Sequence, residues 1–206
     1  MERRTVLKLL GTAGVTGAGG CLGPTDNAAV AETNERHVSI AHQESVPEKH
    51  QLRIEASLLE PTVTADHPAR LQATLTNEGS EHWIRANRGC PLFWKSGWAS
   101  TPEGVLLPFS DDPDYVSEQG PRWVITPPED VPWPDVGCGA ERYESGESFR
   151  TEYAVYDDGR FDGYLAPGTY TFGDVVQMPP RGSEPHETSD PVLVSWEFAL
   201  AIDAPD

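Results

Sequence analysis

The sequence predicts an all-β domain, an antiparallel β-sandwich, and three observations carry that expectation. Apolar side chains recur at every second residue in about six or seven segments. Prolines and glycine-bearing turns separate those segments, and no stretch beyond residue 21 carries a helical period. Short alternating strands over roughly 150 residues are the pattern of two packed antiparallel sheets.

Residues 1–21 come first and stand apart. Arg3-Arg4 is followed by Thr5-Val6-Leu7-Lys8 and then by a weakly apolar run, Leu9 to Gly20, rich in Gly, Ala and Thr. The run is too short and too glycine-rich for a membrane span, which needs about 20 mainly apolar residues. The arrangement resembles a twin-arginine export signal, in which the paired guanidiniums hold the n-region on the cytoplasmic side. Ala18-Gly19-Gly20-Cys21 resembles a lipobox, whose small residues let the modifying enzymes close on the backbone. That resemblance implies lipidation on the thiol of Cys21. Two chains on one sulfur anchor a protein stably, whereas a single acyl chain binds only marginally.

Residues 22–50 are polar, hold Pro24, Asn27, Asn34 and Pro47, and show no period, so they are expected to form a flexible tether. His37, His42 and His50 lie in it, and a mobile segment does not hold three imidazoles at metal geometry.

The sandwich domain is expected over residues 51–206. Leu52, Ile54, Ala56 and Leu58 alternate with Arg53, Glu55 and Ser57. After Pro61 to Pro68 the pattern returns in Leu71, Ala73 and Leu75 against Arg70, Gln72 and Thr74. Asn77-Glu78-Gly79-Ser80 reads as a turn, and His82 to Arg85 as a third, short strand.

From Cys90 to Ser145 alternation is lost and prolines punctuate the chain, although Val105-Leu106-Leu107 and Arg122 to Thr126 remain candidates for pairing. A loop of this length inside a compact domain tends to be functional or pinned. Cys90 and Cys138 are the two cysteines left beyond Cys21. In an exported chain an even pair reads as one disulfide, which restricts the unfolded chain by roughly 4 kcal/mol. The expectation is a long proline-rich insertion, pinned by that bridge.

Alternation returns at Phe149, Tyr153 and Val155 against Arg150 and Glu152, and Asp157-Asp158-Gly159 is a turn signal. The last strand is the clearest: Val192, Val194, Trp196, Phe198, Leu200 and Ile202 share one face. Between them, Leu165-Ala166-Pro167-Gly168-Thr169-Tyr170 resembles the tyrosine corner of immunoglobulin-like sandwiches, whose hydroxyl bonds back to nearby backbone. Phe172, rather than cysteine, stands two residues further on, so the inter-sheet disulfide of antibody domains is missing. Together with Leu75-Thr76-Asn77-Glu78-Gly79, these phrases resemble immunoglobulin-like domains of bacterial and archaeal surface lipoproteins, including the intracellular proteinase inhibitor type. The resemblance implies shape, not activity.

The formal charge is −18 over 206 residues. Removing residues 1–21 removes Arg3, Arg4 and Lys8 against Glu2, which makes the remainder more acidic still. Such a chain repels nucleic acid and anionic lipid, so neither is an expected partner surface. Lysines number only three, Lys8, Lys49 and Lys95, against twelve arginines. Abundant acid with few lysines resembles the surfaces of proteins from salt-loving archaea, where a Debye length of about 3 Å at 1 M salt screens the self-repulsion.

Chemistry-bearing groups are sparse. A blue-copper site needs two histidines, a cysteine and a weak axial sulfur; no histidine stands near Cys90 or Cys138, and beyond the initiator the sole methionine is Met178. There is no Gly-x-Ser-x-Gly, His-Glu-x-x-His or Cys-x-x-Cys, and His67, His82 and His186 are isolated. Asp111-Asp112-Pro113-Asp114, and Asp157-Asp158 with Asp162, offer oxygen ligands for calcium but lack EF-hand spacing; in so acidic a chain they read as solvated turns. Aromatic side chains gather in the irregular region: Phe93, Trp94, Trp98, Phe109, Tyr115, Trp123 and Trp133. Planar rings among polar neighbours suit a sugar or a partner protein, so Trp94, Trp98, Trp123 and Trp133 are the candidate contacts, against the alternative of a self-packed mini-core.

The expectation is therefore a domain without catalysis, cofactor or metal, anchored by a lipid on Cys21 to the outer face of the cell membrane. It would act as a binding or envelope-associated module for an envelope protein or glycan. The alternatives are a protease-inhibitor-like module, implied by the fold resemblance, and a hydrolase using carboxylates around Asp157.

Overall fold

The computed structural model describes residues 34–85, 92, 102–108, 117–119, 122–126, 140–183 and 190–204. Thr33–Asp206 form one compact unit. The export signal, Cys21, Cys90 and Cys138 all lie outside the described residues.

The architecture is all-β and sandwich-like. The strands are β1 (Arg36–Gln43), β2 (Leu52–Glu60), β3 (Thr62–Val63), β4 (Arg70–Asn77), β5 (His82–Ile84), β6 (Val105–Leu106), β7 (Ser117–Gln119), β8 (Arg122–Ile125), β9 (Glu141–Tyr143), β10 (Ser148–Ala154), β11 (Tyr156–Asp158), β12 (Gly168–Met178) and β13 (Val192–Asp203). Among the described residues one 3-10 turn, Glu48–His50, interrupts them. One sheet has the order β12-β13-β1-β3 and another β10-β4-β2.

These two sheets share one core. In β2 the inward positions Leu52, Ile54 and Ala56 are buried while Arg53, Glu55 and Ser57 are exposed, as the period of two requires. Leu71, Ala73 and Leu75 of β4 do the same. From the other sheet, β13 presents Val194, Trp196, Phe198, Leu200 and Ile202. Phe172 of β12 stands directly opposite Phe198, with ring centroids 5.4 Å apart, and Trp196 stacks on Phe198 at 5.5 Å. The Trp196 indole N–H donates to the Glu44 carbonyl at 2.7 Å, so the one polar atom of that ring is paired.

The tether expected over residues 22–50 is corrected from residue 36 onward. Arg36–Gln43 is β1, a strand inside a sheet, paired along its length with β13 and at its start with β3. Val38 is fully buried and Ile40 packs on the core. Two apolar residues at period two, set among polar ones, are too faint a local signal; β13 supplies the missing force by offering an open row of N–H and C=O groups. His37 and His42 accordingly lie on a strand.

Within the proline-rich stretch the two candidate pieces pair as expected, β6 on Val105–Leu106 and β8 on Arg122–Ile125. β6, β7 and β8, all from that stretch, join β11 in a sheet of order β6-β11-β8-β7. One pairing departs from the antiparallel expectation: β11 runs parallel to β8, with Asp157 opposite Val124. A further attachment is made by Tyr153, fully buried in β10, whose hydroxyl donates to the Leu92 carbonyl.

The turn after β4 is organised by Asn77, which is fully buried. Its Nδ2 donates to the carbonyls of Ser80 (3.0 Å), Tyr143 (3.0 Å) and Glu144 (3.1 Å), and its Oδ1 accepts the Gly79 N–H at 3.2 Å. That hub fastens the β4–β5 turn to the β9–β10 turn and so sets where β5 and β9 pair.

Candidate functional site

Two clusters of polar and aromatic side chains stand out among the described residues. The first surrounds Tyr164. Chain direction reverses after β11, and Gly159 is required there by close approach, since a Cβ would come within 2.4 Å of Thr126 Oγ1 and 2.9 Å of Val124 Cγ1. The segment returns through Tyr164 and Leu165, both buried, with Leu165 in the left-handed region at φ 40°.

Asp157, almost fully buried, accepts the Leu165 N–H on Oδ1 at 2.8 Å. Burial pushes its carboxyl above the ordinary carboxylate range; the Leu165 hydrogen bond opposes that shift, the Asp158 charge adds to it, and the Arg122 and Arg36 charges oppose it. Asp158 is clasped by Arg160, whose Nε donates at 2.8 Å and Nη2 at 2.5 Å.

The Tyr164 ring lies between two guanidiniums, with Arg36 Cζ 5.6 Å and Arg122 Cζ 5.2 Å from its centroid. Arg36 also donates to the carbonyls of Leu165 (3.0 Å), Tyr164 (3.1 Å) and Glu35 (2.8 Å). The Tyr164 hydroxyl accepts the Trp123 backbone N–H at 3.1 Å. Trp123 itself is half-buried: its indole N–H donates to Thr64 O at 2.8 Å and its ring meets Tyr156 edge to face at 5.9 Å. This cluster ties β1, β8, β11 and the segment before β12 together.

The residues that follow make the bond expected of a tyrosine corner, the Tyr170 hydroxyl donating to the Ala166 carbonyl at 2.5 Å.

The second cluster is a polar cleft of about 230 Å³ lined by Glu81, His82, Trp83, Arg142, Gly182 and Ser183. β5 and β9 place His82, Trp83 and Arg142, since Trp83 is paired with Arg142 across the two strands, and Glu81 stands just before β5. Arg142 Nη2 meets Glu81 Oε2 at 2.5 Å. His82 is buried, and burial first, then the Arg181 charge, hold its imidazole below the usual histidine range, while a hydrogen bond to the Pro179 backbone opposes that. Trp83 is half-buried, and its indole N–H and ring make no hydrogen bond or aromatic contact among the described residues. Sequence reasoning missed this tryptophan because it sits in a three-residue strand apart from the aromatic-rich stretch.

Of the candidate contacts, Trp123 lies in the Tyr164 cluster, while Trp94, Trp98 and Trp133 lie outside the described residues, as do His186 and Asp111 to Asp114. Among the described residues no three His, Cys, Asp or Glu side chains stand together as a metal cage, so Asp157, Asp158 and Asp162 do not converge. No helix among them is long and apolar enough to cross a membrane. Compared with known proteins, the chain matches no family model, no curated protein and no solved structure.

Proposed function

We propose that this protein is a non-catalytic binding or envelope-associated module, an immunoglobulin-like sandwich carried outside the cell on a lipid at Cys21. The observation that carries the non-catalytic part is the engagement of its carboxylates. Asp157 and Asp158 are both buried; Asp157 Oδ1 holds the Leu165 backbone, and Asp158 is clasped by Arg160. Asp157 Oδ1 and both oxygens of Asp158 are engaged by their own chain, which leaves less of either carboxylate to exchange a proton with a substrate.

Support for the immunoglobulin-like type comes from the bond between Tyr170 and Ala166 and from the two antiparallel sheets sharing one core. Support for the anchor comes from Arg3-Arg4 and the Ala18-Gly19-Gly20-Cys21 run. Support for a Cys90–Cys138 bridge rests on the even pair in an exported chain.

The test is mass analysis of protein extracted from membranes of the native cell, together with crosslinking of intact cells in molar salt. The expected outcome is a chain beginning at Cys21 with lipid on its sulfur, attached to an envelope protein or glycan. A soluble chain retaining residues 1–20 overturns the anchored reading. A crosslinked protease whose activity the domain blocks replaces the binding reading with an inhibitory one.

A further inference from the structure

The cleft between β5, β9 and the Arg181–Ser183 turn joins features that sugar rings use. It is small, about 230 Å³, and mostly polar, and a half-buried indole forms part of its lining. The Trp83 indole N–H has no protein partner among the described residues and is not closed off from solvent, so it is open to an acceptor on a ligand. Around it stand a planar carboxylate and guanidinium pair, Glu81 with Arg142, and the Ser183 side chain. That pair is internally neutralised and both side chains are about half exposed, so their outer edges can still exchange hydrogen bonds with hydroxyls. Burial, and then the Arg181 charge, hold the His82 imidazole below the usual histidine range, which disfavours a charge there.

We propose that this cleft is a subsite for one neutral pyranose ring of a glycan, which would lie against Trp83 with its hydroxyls on Glu81, Arg142 and Ser183. An apolar face beside a ring of alternating donors and acceptors is what a pyranose presents, and binding sites combine an aromatic wall with a few placed polar groups in this way. A strongly anionic ligand fits less well: the chain carries −18, and the cleft's guanidinium is already paired. The proposal rests on the binding-module reading and names its ligand class and place.

The test titrates the full chain, in molar salt, with tetrasaccharides of β-glucan, α-glucan, mannan, galactan and chitin type, followed by tryptophan emission and by saturation transfer to sugar protons. At least one is expected to bind at millimolar strength, the range of a single small polar site. Trp83→Ala is expected to weaken that binding tenfold or more, and Trp83→Phe less. Ser183→Arg, which fills the cleft from a turn, is expected to abolish it even where Trp83→Ala fails to fold. Absence of binding across the panel overturns the subsite, as does binding that Ser183→Arg leaves unchanged. Recovery of an envelope protein by crosslinking, without sugar binding, overturns the subsite alone and leaves the binding module standing.

Discussion

Asp157 Oδ1 accepts the backbone N–H of Leu165 at 2.8 Å, and Leu165 occupies the left-handed region at φ 40°. A fully buried leucine held in that conformation is strained unless its surroundings over-determine it. The carboxylate supplies part of that determination, and Arg36, donating to the Leu165 carbonyl at 3.0 Å, adds to it.

The protonation of Asp157 gives this bond a pH signature. Its folded pKa is raised above 3.8, chiefly by burial. The proton therefore binds the folded form more tightly, so its stabilising contribution is full below pH 3.8 and is lost as pH rises through the folded value. Asp157→Asn keeps the acceptor without the buried charge. It is expected to raise the thermal midpoint at neutral pH and to leave it nearly unchanged at the acid end. Asp157→Ala, which leaves the Leu165 N–H unpaired, is expected to cost about 1–3 kcal/mol of stability and so to lower the midpoint at both. A midpoint that falls in Asp157→Asn at neutral pH would show that attraction to Arg36 and Arg122 outweighs burial.

His82 carries the opposite sign. Its folded pKa lies below the ordinary 6.5, mainly through burial. The stability it contributes is complete above pH 6.5 and is lost as pH falls through the folded value, because the imidazole must then charge inside the fold. Denaturant midpoints of the parent chain are expected to drop across that window. In His82→Gln the drop should shrink; an identical slope in the two proteins rules the histidine out.

Asn77 faces three carbonyls with one amide nitrogen. Asn77→Ala removes three donated bonds and leaves the buried Gly79 N–H without its acceptor, while Ser80 O keeps the Arg181 guanidinium and Glu144 O the Glu147 N–H; it is expected to cost at least about 1–3 kcal/mol, the cost of one buried unpaired group. Asn77→Asp is expected to be at least as damaging at neutral pH, because it turns a donor into a charged acceptor against those oxygens. Partial recovery on acidification, read in urea midpoints, would mark the carboxylate as the cause.

The stacked run Phe172, Phe198 and Trp196 fills the sandwich centre. Phe198→Ala is expected to cost about 3–5 kcal/mol, the range for removing a buried aromatic side chain. Tyr170→Phe, which loses the single bond to Ala166, is expected to cost about 1 kcal/mol. Equal losses from the two substitutions, measured by urea unfolding, would mean that the corner does more than its one hydrogen bond.

Much of the fold was legible in the order of residues. β2, β4 and β13 follow the alternation of Leu52, Leu71 and Trp196 with their neighbours, and the Tyr170 bond was anticipated from Leu165-Ala166-Pro167-Gly168-Thr169-Tyr170. Less of the site was. Asp157 and Asp158 read as an exposed turn, yet both are buried at the end of β11 and the turn begins only at Gly159. Trp123 was open to two readings, a partner contact or self-packing, and its indole N–H is engaged with Thr64.

Alternation is a property of the pleat itself: successive side chains point to opposite faces, so strands with one wet face announce themselves locally. That much the order of residues determined, along with charge, composition and the chemistry of the turns. Tertiary structure alone decided that β1 enters a sheet, that β11 lies parallel to β8, and that Trp83 meets Ser183 across a cleft. Those outcomes depend on partners far apart in the chain, as Arg36 and Leu165 are by 129 residues. A strand's own pattern says which face is buried; which edge it joins is settled by whatever open edge the rest of the fold presents.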